Sequence, residues 1–302
     1  MPELPEVETT VRDLKKKVLK RTFIDVWTDF SKMIKKPSFK QFKKEIKGKK
    51  IKNVWRRGKN VIFDLTENKT LLIHQKLTGH LLLGKWELKK GQWQSKIKGP
   101  LLEDPRNRFL HLIFWLDNEK MFALSDLRKF AKIELWGTEK FRESEGIKAL
   151  GPEPLDKNFT FKKFSKTLKE KKTNKGEYCQ RRGKLKQVLL DQTIIAGIGN
   201  IYSDEILWKA KIHPLKEISK LNQKELKRIY KAIKTILKKA IKLRGESISD
   251  YRDIKGKKGY FDSERKVYQR KGESCLRCGA KIERIKITGR GAHFCPKCQK
   301  NK

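Results

Sequence analysis

Acidic residues are in short supply in this 302-residue chain: 35 Asp and Glu stand against 76 Lys and Arg, a formal net charge of +41. A field of that sign repels cations and gathers polyanions. Nucleic acid is the first partner to consider, and an anionic membrane surface the second. A Lys-rich compositional bias accounts for part of the excess, so charge orders the partner classes without choosing one. Also missing is any apolar run near the roughly 18 residues that a membrane-spanning helix needs. The opening, MPELPEVETT, is acidic and broken by prolines, with no apolar stretch of the kind a secretory signal carries. Cysteines number only five, four of them in CxxC pairs, unlike the disulfide framework of a secreted domain. These absences point to a soluble protein of a reducing cytoplasm.

What is present divides along the chain. Val7, Val11, Leu14 and Val18 recur at steps of four, three and four, one face of a helix entered through Pro5. From about residue 51 the period changes. IKNVW, NVIFDL, TLLIH, HLLLG, FLHLIFWL, MFAL and AKIELW read as seven short strands, a β-sandwich or barrel. GPEPL (151–155) resists helix formation and is the candidate interdomain linker. Beyond it, VLLDQTIIAGIGNIYSDEILWKAKIHP reads as two helices joined by a tight Gly-rich turn. Asn222 and Glu225 form a capping pair for a further helix with Leu226, Ile229, Ile233, Ile236, Leu237 and Ala240 on one stripe, stopping near Gly245. Gly84–Arg108 and Lys169–Lys184 read as long, basic, mobile loops. The expected fold is α+β: a β-sandwich with an N-terminal helix over 1–150, a helical domain over 151–262 and a cysteine hairpin over 263–302.

Cys275-Leu-Arg-Cys278 and Cys295-Pro-Lys-Cys298 are separated by 16 residues. Two such knuckles supply four thiolates to one tetrahedral ion, and AKIERIKITGRGAHF between them has the strand character of a two-stranded zinc hairpin. A redox pair fits less well, because four ligands at this spacing close a structural site. A segment so short cannot bury enough apolar surface to fold without its metal. One structural Zn2+ is expected, and no catalytic cofactor. Cys179 has no partner in this scheme and reads as an inert thiol.

Several motifs occur in order: MPELPEVET, RRGK (56–59), DLRKF (126–130), GPEPL, DQTIIAGIGNIYSDEIL (191–207) and VYQRKGESCLRCGAKI…GRGAHFCPKCQK. Together they resemble, nearly end to end, the formamidopyrimidine-DNA glycosylase family, which excises oxidised guanine from DNA. The resemblance implies that the helical domain is a helix-two-turn-helix module. It also implies a bifunctional glycosylase and abasic-site lyase working on damaged double-stranded DNA, expected as a monomer.

On this resemblance Pro2, exposed once Met1 is removed, is the nucleophile. An α-amino group titrates near pH 8, so an appreciable fraction is neutral and reactive. Glu3 matches the family's catalytic acid, and Glu6, one turn on, a supporting carboxylate; alone, two glutamates there read as helix-dipole charges. Lys59 matches a lysine that contacts the phosphate beside the lesion, and His74 joins the DNA-contacting set. A base inside a duplex must be flipped out and its gap filled. The filling side chains map to Leu77, Arg128 and Phe130, with Leu77 standing where the family has methionine; a core role for Leu77 and Phe130 stays open. Asn200 at the GIGN turn, Lys186, and Arg290 in the hairpin match phosphate contacts. Glu246–Phe261 resembles a loop that closes over the extruded base.

Two other readings compete. An endonuclease VIII-like enzyme for oxidised pyrimidines shares the Pro-Glu start and the zinc hairpin; PELPE, DLRKF and GKKGYF favour the purine enzyme. A non-catalytic DNA-binding protein on the same scaffold would have no need of Pro2, Glu3 and Lys59 together.

Overall fold

The computed structural model describes residues 1–172, 177–248 and 250–301. It divides into two compact units, Met1–Lys148 with Ile241–Asp262, and Ala149–Ala240 with Ser263–Lys302. This differs from the three-part division read from the sequence. The segment 241–262, expected with the helical domain, groups with the sandwich, and the cysteine hairpin groups with the helices.

In the first unit the helix Leu4–Val18 begins with a reciprocal cap. Glu3 is its N-cap, and the Glu6 carboxylate accepts the Glu3 backbone N–H at 2.7 Å. Its apolar stripe, Val7, Val11, Leu14 and Val18, is buried as the spacing predicts. All seven expected strands form, joined by Phe23–Thr28 and Ile34–Lys36, which the sequence reading passed over. They make a four-stranded sheet, in the order 23–28, 110–116, 121–125, 80–84, and a five-stranded sheet, in the order 34–36, 132–137, 69–74, 60–65, 51–57. One core unites both sheets and the helix. At its centre Phe122 stacks on Phe114 at 5.6 Å and meets Phe63 of the other sheet edge-on at 5.4 Å. Each such fully buried side chain contributes about 1.5–3 kcal/mol.

Gly84–Arg108 is not a loose loop. Trp86–Lys89 and Gln92–Ser95 pair as a hairpin, turned by Lys90 and Gly91, both with positive φ. A helical turn Pro100–Glu103 and a 3-10 turn Pro105–Arg108 follow. Trp93 packs edge-on against Trp27 at 5.3 Å and Trp115 at 5.9 Å. Lysines masked an alternation of apolar residues strong enough to anchor the segment. Within Lys169–Lys184, Glu170–Lys172 pairs with Tyr178–Gln180; residues 173–176 lie outside the described residues. Cys179 is exposed on that pairing.

The second unit holds the helices Leu185–Leu190 and Asn200–Ala210 and all but the last two residues of the helix Gln223–Lys242. The Asn222–Glu225 cap forms in both directions, at 3.1 and 2.9 Å. GPEPL is a fixed part of this unit rather than a free linker. Gly151 is buried and its N–H donates to Gln192 O at 2.8 Å, so close to the Ile194 backbone that no Cβ fits. Glu283–Ile287 and Arg290–Phe294 form the expected hairpin. Among the described residues no helix is long and apolar enough to cross a membrane.

Candidate active site

Pro2, Glu3, Glu6 and Lys59 are all buried in the first unit. Glu6 is the organising carboxylate. While one oxygen takes the Glu3 N–H, the other accepts the N–H of Glu246 at 2.8 Å, and the Tyr251 hydroxyl donates to the Glu6 carbonyl at 3.3 Å. Arg244, with its guanidinium shared between Asp13 and Asp253, ties the same segment to the helix. These bonds, between residues some 240 positions apart, are why 241–262 belongs to the sandwich unit. Glu246 is buried beside two further carboxylates. Burial, a hydrogen bond with Asp262 and the charges of Asp262 and Glu6 push its carboxyl up to about 9, so it is neutral near pH 7.

Lys59 sits in the turn between the strands Ile51–Arg57 and Asn60–Leu65. Gly58, with φ +57, closes that turn, and Arg56 donates to the Gly58 carbonyl at 2.8 Å. The same Arg56 pairs with Glu8 at 2.9 Å, fixing the Lys59 turn to the helix Leu4–Val18. Asn60 lies opposite His74 in the sheet. Burial, and then the charges of Lys76, Lys59 and Lys132, push His74 down to about 3. Its Nδ1 accepts the Lys76 N–H at 3.0 Å, which leaves the proton on Nε2, a neutral donor suited to a phosphate oxygen in a basic corner.

Leu77, Arg128 and Phe130 come together around an open cleft of about 540 Å³, with Lys32, Lys35, Lys76 and Lys129 also lining it. Leu77 is 36% and Phe130 51% exposed, so neither is a core residue. The Arg128 guanidinium lies over the Phe130 ring at 4.7 Å. Two side chains missed in the sequence hold these loops. Buried Asp126 accepts from the Thr78 hydroxyl and from the Ala131 N–H at 2.8 Å, while Thr78 Oγ1 takes the Arg128 N–H at 3.1 Å. An Asp immediately before a basic turn was the available signal.

The remaining DNA-contact candidates lie in the second unit. Gln192 orders the GIGN turn, donating to Leu190 O and Ile198 O at 2.9 and 2.7 Å and accepting from Gly197 N at 2.8 Å. That turn starts the helix Asn200–Ala210, whose first N–H groups favour an anion. Arg290 is exposed at the hairpin tip, after a Thr288-Gly289 turn with φ of +43° and +77°. Lys186 is different from what the sequence implied. Its side chain is fully buried, and its ammonium donates to Asp204 at 2.5 Å and to Gly291 O at 3.0 Å. A buried, ion-paired ammonium cannot reach a phosphate; it anchors the hairpin beside Arg290. Asp204 also accepts the His293 N–H at 2.9 Å. Glu205 accepts the N–H groups of Lys266, Val267 and Tyr268 at 2.9–3.0 Å, securing the approach to the cysteines.

The sulfurs of Cys275, Cys278, Cys295 and Cys298 all lie within 4.8 Å of one another. Four thiols converging at that range, with no disulfide among them, fit one tetrahedral ion. The hairpin carries one structural zinc site, and the ion's chemistry there is to hold the fold.

Comparison with known proteins agrees along the whole length. Residues 1–133 match the formamidopyrimidine-DNA glycosylase N-terminal domain. Residues 150–252 match the formamidopyrimidine-DNA glycosylase H2TH domain, and 272–301 a zinc finger found in FPG and IleRS. The formamidopyrimidine-DNA glycosylase of Pelotomaculum thermopropionicum is 39% identical over 304 residues, covering 100% of both chains. That of Lactococcus lactis subsp. cremoris is 39% identical over 301 residues, covering 99% of each. A Lactococcus lactis Fpg complex with abasic-site DNA superposes with a TM-score of 0.81 at 38% identity, covering 99% of both chains. Another, of the wild-type Lactococcus lactis protein with DNA containing an oxidised pyrimidine, has a TM-score of 0.81 at 37% identity, covering 99% of this chain and 100% of that one.

Proposed function

The chain belongs to the formamidopyrimidine-DNA glycosylase family, and on that footing we propose that it repairs oxidatively damaged double-stranded DNA, removing oxidised purines and then cleaving the abasic strand. The observation that carries this reading is the N-terminal cluster: Pro2 and Glu3, held by the Glu6 carboxylate, on a helix pinned by Arg56 to the Lys59 turn.

Removal of Met1 gives Pro2 a secondary amine. Its nitrogen attacks the anomeric carbon of the damaged nucleoside, the bond to the base breaks, and the base leaves with the electron pair and takes a proton. Glu3 supplies a proton as the sugar ring opens at its ring oxygen. Because the amine is secondary, the opened sugar is a cationic iminium, which withdraws electrons and acidifies the C2′ proton. Loss of that proton expels the 3′ phosphate, and a second elimination expels the 5′ phosphate. Lys59 and neutral His74 hold the phosphates beside the lesion. Leu77, Arg128 and Phe130 fill the gap left by the extruded base, with Arg128 donating to the orphaned cytosine. Asn200 and Arg290 grip the backbone, and the 246–261 segment, of which residue 249 lies outside the described residues, closes over the base. The enzyme works as a monomer in the cytoplasm.

The test is borohydride trapping with duplexes carrying 8-oxoguanine opposite cytosine, thymine glycol, or an abasic site. Trapping on 8-oxoguanine and abasic duplexes, with both strand ends left as phosphates, is expected. Trapping only on thymine glycol would assign the enzyme to oxidised pyrimidines, and no trapping on any duplex would leave a DNA-binding protein. A preparation with Met1 retained must bind DNA without trapping, because its Pro2 nitrogen is an amide.

A further inference from the structure

The turns Pro100–Arg108 have no role in the scheme above, yet they grip the closing loop between Asp250 and Gly256. The Asp104 carboxylate takes Arg252 at two points, from Nε at 2.5 Å and from a terminal nitrogen at 3.3 Å. Burial alone would push the Asp104 carboxyl up; the Arg252 hydrogen bond and charge hold it below the ordinary carboxylate value, so the pair is ionic. Arg106 pairs with Asp250 at 3.0 Å.

Asn107, fully buried, completes the set. Its amide nitrogen donates to Pro100 O at 2.7 Å and to Gly256 O at 3.1 Å, and its oxygen faces His80 Nε2 at 3.0 Å. With both amide protons committed to carbonyls, the oxygen must accept. His80, pushed down by burial to about 4, is neutral and carries its proton on Nε2. Gly256 has a φ of +77°, and a Cβ there would collide with the Asn107 amide, so the loop backbone can approach only as glycine. Between the gripped ends, Ile254 is buried in the sandwich core and its carbonyl accepts the Leu83 N–H at 2.8 Å. The gripping segment is itself stiff, with Pro100 and Pro105 each opening a helical turn.

We propose that Pro100–Arg108 is a latch, with Asp104, Arg106 and Asn107 as positioning residues, that orders residues 250–256 of the closing loop before DNA arrives. An unlatched loop would lose its conformational entropy at the moment of base capture and weaken binding accordingly. A latched loop has already lost it during folding. The proposal rests on the reading that this loop closes over the extruded base.

The test compares the full-length, zinc-loaded protein with its Asp104→Asn and Arg106→Ala variants. Hydrogen exchange in the free protein is read across residues 250–257 and, as a control for folding, across the strand 110–116. Single-turnover cleavage is read on 8-oxoguanine and on abasic duplexes. Exchange in the loop should rise at least tenfold in Asp104→Asn and less in Arg106→Ala, with the strand unchanged. The half-saturating concentration of the 8-oxoguanine duplex should rise by about the same factor, while the maximal rate and cleavage of the abasic duplex stay near wild type. Unchanged loop exchange in well-folded variants, or equal losses on both duplexes, would overturn the latch. If Asp104→Asn loses strand protection, the solvent-facing Arg106→Ala decides. Should the wild type fail to cleave 8-oxoguanine duplexes at all, the functional reading falls, and the exchange comparison still decides whether the latch orders the loop.

Discussion

Glu6 Oε2 accepts the Glu3 N–H at 2.7 Å, immediately beside Pro2, while Glu6 Oε1 accepts the Glu246 N–H at 2.8 Å. One carboxylate thus serves both the N-terminal turn and the start of the 246–261 segment, and Gly245 packs so tightly on it that a Cβ would overlap the Glu6 side chain. Glu6→Gln keeps a single oxygen, so one backbone N–H meets an amide NH2. A buried unpaired donor costs about 1–3 kcal/mol. Thermal unfolding should shift down by several degrees and excision should slow at least tenfold, with DNA affinity preserved. Unchanged melting in Glu6→Gln would refute the carboxylate's role as a two-sided clamp.

Glu246 sets a pH dependence. Its carboxyl is held at about 9 by burial, Asp262 and Glu6, against an ordinary value of 4.5. The folded state therefore holds a proton that the unfolded chain releases. Its contribution to stability is complete below pH 4.5 and declines as pH rises, until it is lost above 9. Glu246→Gln mimics the neutral acid at every pH. Melting curves of wild type and Glu246→Gln should coincide near pH 5 and diverge toward pH 9, with the variant the more stable. Parallel curves across that range would contradict the assignment.

Phe130→Ala tests whether extrusion can be separated from chemistry. It is 51% exposed, so Phe130→Ala should leave the melting temperature nearly unchanged. Unstacking a base step costs a few kcal/mol. Losing the wedge should slow excision from a stable duplex by one or more orders of magnitude, at roughly 1.4 kcal/mol per decade. Cleavage of a preformed abasic site should suffer less. Equal slowing on both substrates, or a large drop in stability, would count against the wedge.

Two basic residues near the hairpin should behave in opposite ways. Arg290→Ala removes an exposed charge and should flatten the salt dependence of DNA binding by about one unit in the log–log slope. Lys186→Met takes the ammonium from the buried Asp204 carboxylate and leaves it only His293, and breaking a buried ion pair costs about 3–5 kcal/mol. Its salt slope should match wild type in whatever fraction stays folded. Denaturant melts and salt titrations of both variants are the measurements, and the reverse pattern would return Lys186 to the DNA surface.

Removing one thiolate tests the metal. Cys295→Ser should release the zinc and unfold the hairpin, misplacing Arg290 and lowering DNA affinity, while the strands of the first unit keep their hydrogen-exchange protection. Full retention of zinc, read by metal analysis, would contradict the four-cysteine site.

Elements with a strong local period were readable directly from the chain. The helix Leu4–Val18, seven strands and the Asn222–Glu225 cap follow from residue spacing, because side-chain direction repeats every 3.6 or 2 residues whatever lies opposite. The cysteine site was readable too, since thiolate spacing along a hairpin sets ligand geometry. Candidate active-site residues were identified only through ordered motifs; one lysine among dozens has no local mark. The tertiary structure decided what local pattern does not encode. It placed Leu77 and Phe130 outside the core and buried Lys186 against Asp204. It also bound the 241–262 segment to the sandwich through Glu6, Asp13 and Asp104. The burial of Lys186 and the binding of 241–262 rest on polar partners outside the local pattern, and a charged letter reads the same whether water or a buried counter-charge satisfies it. Only the packing of distant elements settles which.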